Sequence, residues 1–145
     1  MENIKILVPL TDITDCVAVM SDYDLKKQRF NIRKTLRFLA GKIQLMNPDK
    51  IRMMWEGHEE FLTYYFNAST VFLKQRGHTV GPPMKSKSSF TEISMPFWWG
   101  DDRLHRNHRL ILSQDDREFY SKYKWEDQLD LEKSNKYYWP VKEST

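Results

Sequence analysis

A chain of 145 residues, 40% hydrophobic and 14% aromatic, is not a disordered polymer, and its length suits one domain that buries a continuous core. Its only cysteine, Cys16, excludes an internal disulfide framework and a cysteine-built zinc site, and it suits a reducing compartment, so cytoplasm or nucleus is expected. The net charge of +3 is too small to announce a nucleic-acid binder, so any such role must come from the distribution of charge.

The chain opens on Ile4-Lys-Ile-Leu-Val-Pro-Leu10, which reads as a short extended arm because Pro9 disfavours helix in the residue before it. Lys5 and Pro9 interrupt it and no basic lead or cleavage site is present, so it is not read as a signal peptide. Asp12 caps a predicted short helix to about Met20. Ser21-Asp-Tyr-Asp24 is read as a turn and a second cap before the clearest helix, about Leu25 to Ala40, closed by Gly41, with Leu25, Ile32, Leu36 and Leu39 inward. Asn47-Pro48 starts the next helix, which carries Ile51, Met54 and Trp55 inward until Gly57 breaks or bends it. A further helix, about His58 to Arg76, spaces Phe61, Leu62, Tyr65, Phe66, Phe72 and Leu73 at threes and fours and stops at Gly77. From His78 to Pro96 the composition predicts a long loop. Two helices follow, Asp101 to Leu112 and Asp115 to about Trp125, the second opened by a capping box of Asp115 and Glu118. The tail, Tyr137-Tyr-Trp-Pro140, is expected to dock back onto the body. No repeat, domain boundary or apolar run of the roughly 20 residues that cross a bilayer is visible. The expected architecture is therefore an all-α, compact single-domain helical bundle with a short extended N-terminal arm.

Charge patterning singles out two places. Lys26, Arg29, Arg33 and Arg37 recur at steps of three and four and form one basic ridge, which is either a solvated helix face or a surface for a phosphate backbone. Pro96-Phe-Trp-Trp-Gly-Asp-Asp-Arg-Leu-His-Arg-Asn-His-Arg109 sets Trp98 and Trp99 beside His105, Arg106, His108 and Arg109. Aromatic platforms next to cations suit unstacked bases, and the alternative is a core edge with local histidine hydrogen bonds. A metal at His105 and His108 lacks a third ligand at a recognisable spacing. No P-loop, dinucleotide fingerprint, nucleophile elbow or catalytic Cys/His pair is present, so no cofactor is implied.

Taken together, Leu25-Lys-Lys-Gln-Arg29, Met54-Trp-Glu-Gly-His-Glu-Glu60, Arg76-Gly-His78, Phe97-Trp-Trp-Gly-Asp101, His105-Arg-Asn-His-Arg109 and Tyr138-Trp-Pro140 stand in the order found in small pyrimidine-dimer DNA glycosylases of the endonuclease V type. The chain resembles that family from about Leu25 to Pro140. The resemblance implies a compact helical enzyme that bends damaged duplex DNA and attacks the sugar C1′ with its terminal α-amine, forming an imine through which the backbone is cut with a glutamate's help. Here the amine is that of Met1, with Arg29 and Asn31 beside it. Where the family shows Gln-Arg-x-Glu, this chain has Gln28-Arg-Phe-Asn31, so proton transfer falls to another carboxylate, Asp22, Asp24, Glu59 or Glu60. The family's His-Pro pair ahead of Met-Trp is also missing, with Lys50-Ile-Arg52 nearby instead.

The expected partner is double-stranded DNA with a damaged or modified base, bound by a monomer away from membranes. Lys26, Arg33, Arg37, Trp98, Trp99, His105, Arg106, His108 and Arg109 would bind it. Phosphate recognition further requires Arg29, Arg33 and the His105 to Arg109 turn to share one concave surface. Two other readings remain: a non-catalytic nucleic-acid or nucleotide-binding protein on the same scaffold, and a viral factor that binds a host protein.

Overall fold

A computed structural model describes residues 4–85, 95–125 and 137. The described residues are all-helical, with six α-helices and no strand. None of the helices is long and apolar enough to cross a membrane. The backbone groups into two compact units, Met1–Ile6 with Val17–Pro96, and Leu7–Cys16 with Phe97–Thr145.

Helix α1, Ile13–Val19, starts where Asp12 Oδ1 accepts from the Asp15 N–H at 3.0 Å, as its sequence position predicts. The division between the units falls within it.

In the first unit α2, Asp22–Leu39, begins one turn earlier than its apolar spacing suggests. Ser21 is the reason: its hydroxyl accepts from the Asp24 N–H at 3.2 Å, which turns the apparent linker into the helix's first turn. Leu25, Ile32 and Phe38 are buried, whereas Leu36 and Leu39 are only half-buried. Gly41, at φ 76, ends the helix, and the Lys42 N–H turns back to the Arg37 carbonyl at 2.9 Å.

Helix α3, Pro48–Trp55, has proline at its first position, and Ile51, Met54 and Trp55 are buried. Asn47 takes the cap position in the left-handed region, φ 55, with no side-chain capping bond. Helix α4, Glu59–Gln75, buries Phe61, Leu62, Tyr65, Phe66 and Leu73 and packs along α2. Trp55 stacks on Phe61 with centroids 6.2 Å apart. Gly77, at φ 89, lets the His78 N–H reach the Leu73 carbonyl at 3.0 Å. Residues 78–85 and 95–96 carry no regular structure, which agrees with the loop expected there.

The second unit holds α5, Asp102–Asp115, capped by Asp101, whose Oδ1 accepts from the Arg103 and Leu104 N–H groups. It outruns the Leu112 end expected from sequence and absorbs Asp115. The cap of α6, Arg117–Tyr120, is instead Asp116, which accepts from the Phe119 N–H at 3.1 Å. One long helix to Trp125 is therefore replaced by α6 and a 3-10 turn, Ser121–Tyr123. There Tyr120 stacks on Trp125 at 5.5 Å and Phe119 meets Tyr120 edge-on at 4.8 Å. Of the aromatic tail, Tyr137 stacks on His108 at 5.0 Å, and residues 138–140 lie outside the described residues.

Candidate nucleic-acid interface

One stripe of α2 is polar and buried. Ser21, Asp24, Gln28, Asn31 and Thr35 follow at steps of three and four and are all under a tenth exposed. Buried polar groups need partners, and these amides find theirs in the leading segment of the chain. Gln28 Nε2 and Asn31 Nδ2 both donate to the Lys5 carbonyl, at 3.3 and 3.1 Å. The Ser21 hydroxyl donates to Asp24 Oδ2 at 3.1 Å, and Thr35 Oγ1 donates to the Asn31 carbonyl at 2.9 Å. Met1 lies outside the described residues.

The neighbouring stripe is cationic. Arg29 is half-buried: its Nε donates to Thr70 Oγ1 at 2.8 Å, and its Nη2 to the Gly81 and Pro82 carbonyls at 3.1 and 3.4 Å. Its guanidinium lies 4.2 Å from the Phe66 ring centre. Every one of these partners is neutral. Burial first, and the like charge of Arg33 second, draw the Arg29 pKa below its ordinary value. Lys26, Arg33 and Arg37 are exposed, and no described carboxylate pairs with them, so the ridge keeps its positive potential.

A clasp that sequence reading missed closes the other end of α2. Asp22 receives Arg76 Nη1 at 2.9 Å and stands 2.7 Å from His78 Nε2, while Arg76 also donates to the Val17, Ala18 and Met20 carbonyls. The hydrogen bonds from His78 and then Arg76 hold the Asp22 carboxyl below its usual range. Arg76-Gly-His78 therefore ties α4 to the last turn of α1. Its sequence signal was a basic pair around a helix-stopping glycine, which does not name its partner.

In the second unit His105 and His108 turn inward. His105 Nδ1 lies 2.6 Å from the Val8 carbonyl, and His108 Nδ1 accepts from the Val8 N–H at 2.9 Å. Arg109 Nη1 donates to the Pro9 carbonyl at 2.8 Å. The Cys16 thiol donates to the Leu10 carbonyl at 3.2 Å, and burial pushes its pKa up to about 12, which keeps it protonated and unreactive. These side chains replace the backbone partners that an extended segment finds in a sheet.

Trp98 is 1% exposed and packs beside Trp99 at 5.8 Å, so in this conformation it presents no face to a base. Trp99 is half-buried, edge-on to His105 at 5.2 Å. Arg106 is exposed, with Asp102 3.5 Å away. Arg29 and Arg33 thus belong to the first unit and the His105–Arg109 turn to the second. Among the described residues no group of three or more His, Cys, Asp or Glu side chains is arranged to hold a metal ion. Comparison with family models, curated proteins and solved structures gives no match.

Proposed function

We propose that this chain is a DNA base-excision enzyme, an N-glycosylase with abasic-site lyase activity on a damaged or modified base, and that it works through the α-amine of Met1. The observation that carries the reading is the grip of Gln28 and Asn31 on the Lys5 carbonyl. It anchors the leading segment against the helix that bears Lys26, Arg29, Arg33 and Arg37. An attacking amine and a phosphate-holding ridge need that proximity.

Chemically, an α-amine with an ordinary pKa near 8 is partly unprotonated at neutral pH, where a lysine is not. Its lone pair attacks C1′, the bond from C1′ to the base breaks, and the base leaves with a proton. The amine nitrogen loses its proton as the sugar ring opens to the imine. Loss of the C2′ proton then expels the 3′ phosphate. Of the four candidate carboxylates for shuttling these protons, Asp22 is committed to Arg76 and His78, and Glu59 is exposed, with Oε1 3.4 Å from the Gly57 N–H. Glu60 lies on α4. Asp24 is buried on the same stripe as Gln28 and Asn31, and we assign it the role. In the first unit Lys26, Arg33 and Arg37 are the proposed phosphate ligands; in the second, taken by itself, Arg106 and Arg109 are proposed to hold phosphate and Trp99 to contact a base.

A binding-only protein is the second reading. It draws on Asn31, whose amide serves as a donor to Lys5 and cannot take up a proton.

Borohydride trapping separates the two, because only an imine between protein and DNA is reduced to a stable covalent link. Ultraviolet-damaged, uracil-containing, hydroxymethylated and abasic duplexes should be offered. A covalent adduct is expected on at least one of them, and residues added before Met1 should abolish it while DNA binding persists. Strand cutting by the extended protein would sink the amine mechanism. Arg33→Ala should lower the slope of log affinity against log salt by about one unit.

A further inference from the structure

The outer face of α2 carries more than charge. Tyr23 is 74% exposed and Phe30 57%, and they stand seven residues apart on one side of the helix. At 3.6 residues per turn they fall at the middle of an arc of about a third of the circumference, flanked by Lys26, Arg33 and Arg37 on one side and by Lys27 and Lys34 on the other. No acidic residue of α2 lies in that arc: Asp22 is turned to Arg76 and His78, and Asp24 is buried. Lys34 Nζ lies 4.6 Å from the Phe30 ring centre and holds the ring among the cations.

Two large aromatic rings left in water on one helix face, set among cations, offer a contact surface. The unbroken positive charge selects a polyanion and repels a second copy of the same face. The rings select one whose π faces are accessible, which duplex DNA hides in its stack. They are about 10 Å apart along the helix, roughly three times the 3.4 Å base rise of one DNA strand, so they suit bases already out of the stack.

We propose that α2 binds nucleic acid with unpaired bases, Tyr23 and Phe30 each taking the face of one base while the flanking lysines and arginines hold the phosphates. The proposal rests on the nucleic-acid reading of the ridge above. It adds the substrate class, a single-stranded or locally opened segment.

Fluorescence anisotropy with a short labelled oligothymidylate, the matching duplex and a polyglutamate peptide tests it. The wild type should prefer the single strand to the duplex and ignore the peptide. The double variant Tyr23→Ala, Phe30→Ala, at exposed positions that folding does not need, should lose about tenfold or more on the single strand with its salt slope unchanged. Tyr23→Phe should bind as wild type does, since the ring and not the hydroxyl acts. Salt-dependent oligonucleotide binding that the double variant retains in full overturns the stacking proposal and leaves the charge reading standing. If the wild type binds no oligonucleotide, or binds only polyglutamate, both fall.

Discussion

Replacing Asp24 by asparagine should lower the rate of imine trapping on an abasic duplex by about 10²- to 10⁴-fold, the usual contribution of a positioned acid or base, with little change in DNA affinity. Asparagine keeps the shape of the side chain and an oxygen for the Ser21 hydroxyl, so the start of α2 should persist. What is lost is the capacity to take and return a proton. Retained trapping by Asp24→Asn would move that role to Glu59 or Glu60. From sequence alone, Asn31→Glu looks like a gain, because it restores the carboxylate of the resembling family. The hydrogen bond to Lys5 reverses that expectation: a carboxylate at position 31 would set acceptor against acceptor and release one of the two donors holding the leading segment. Asn31→Glu should therefore weaken trapping at neutral pH, measured beside the Asp24 variant.

The helices were legible because their causes are local. Threes and fours of apolar residues, Asp12 as a cap, and Gly41 and Gly77 as stops all act within a turn or two of the residue that signals them. Adjacent acids blurred the other boundaries. Asp115 and Asp116 offer equivalent caps, and only the length of α5 decides that Asp116 is used.

The site was less legible, because its partners arrive from far along the chain. Arg29 sits in step with Lys26, Arg33 and Arg37 and reads as a fourth exposed cation. Thr70, Gly81 and Pro82, 41 to 53 residues downstream, draw it inward. His105 and His108 look the same in sequence whether they face solvent or core. Val8, about a hundred residues upstream, decides the matter.

That grip on Val8 predicts the largest effect on stability. Val8 is fully buried, so its peptide groups depend on the two imidazoles. Their tautomers are fixed and opposite. His105 Nε2 accepts from the Gly100 N–H at 3.1 Å, so its proton sits on Nδ1, where it donates to the Val8 carbonyl. His108 Nδ1 accepts from Val8, so its proton sits on Nε2. A second proton on His105 would set an N–H against that of Gly100. Burial is the first cause that holds the His105 pKa below its ordinary 6.5, with Arg109 adding to it against the Val8 bond, Asp101 and Asp102. The unfolded chain therefore takes up protons below about pH 6.5 that the folded one resists, so this contribution is complete above that pH and drains away as pH falls. Urea unfolding of the wild type should show a lower midpoint at pH 5 than at pH 7.5. His105→Phe with His108→Phe leaves a buried N–H and a buried carbonyl without partners, at about 1–3 kcal/mol each, a large share of the roughly 5–15 kcal/mol that holds a domain folded. His105→Asn, which sets an amide donor near the place of Nδ1 and cannot titrate, should cost less and flatten the pH dependence. A double phenylalanine variant as stable as the wild type at pH 7.5 would show that the imidazoles do not hold the arm.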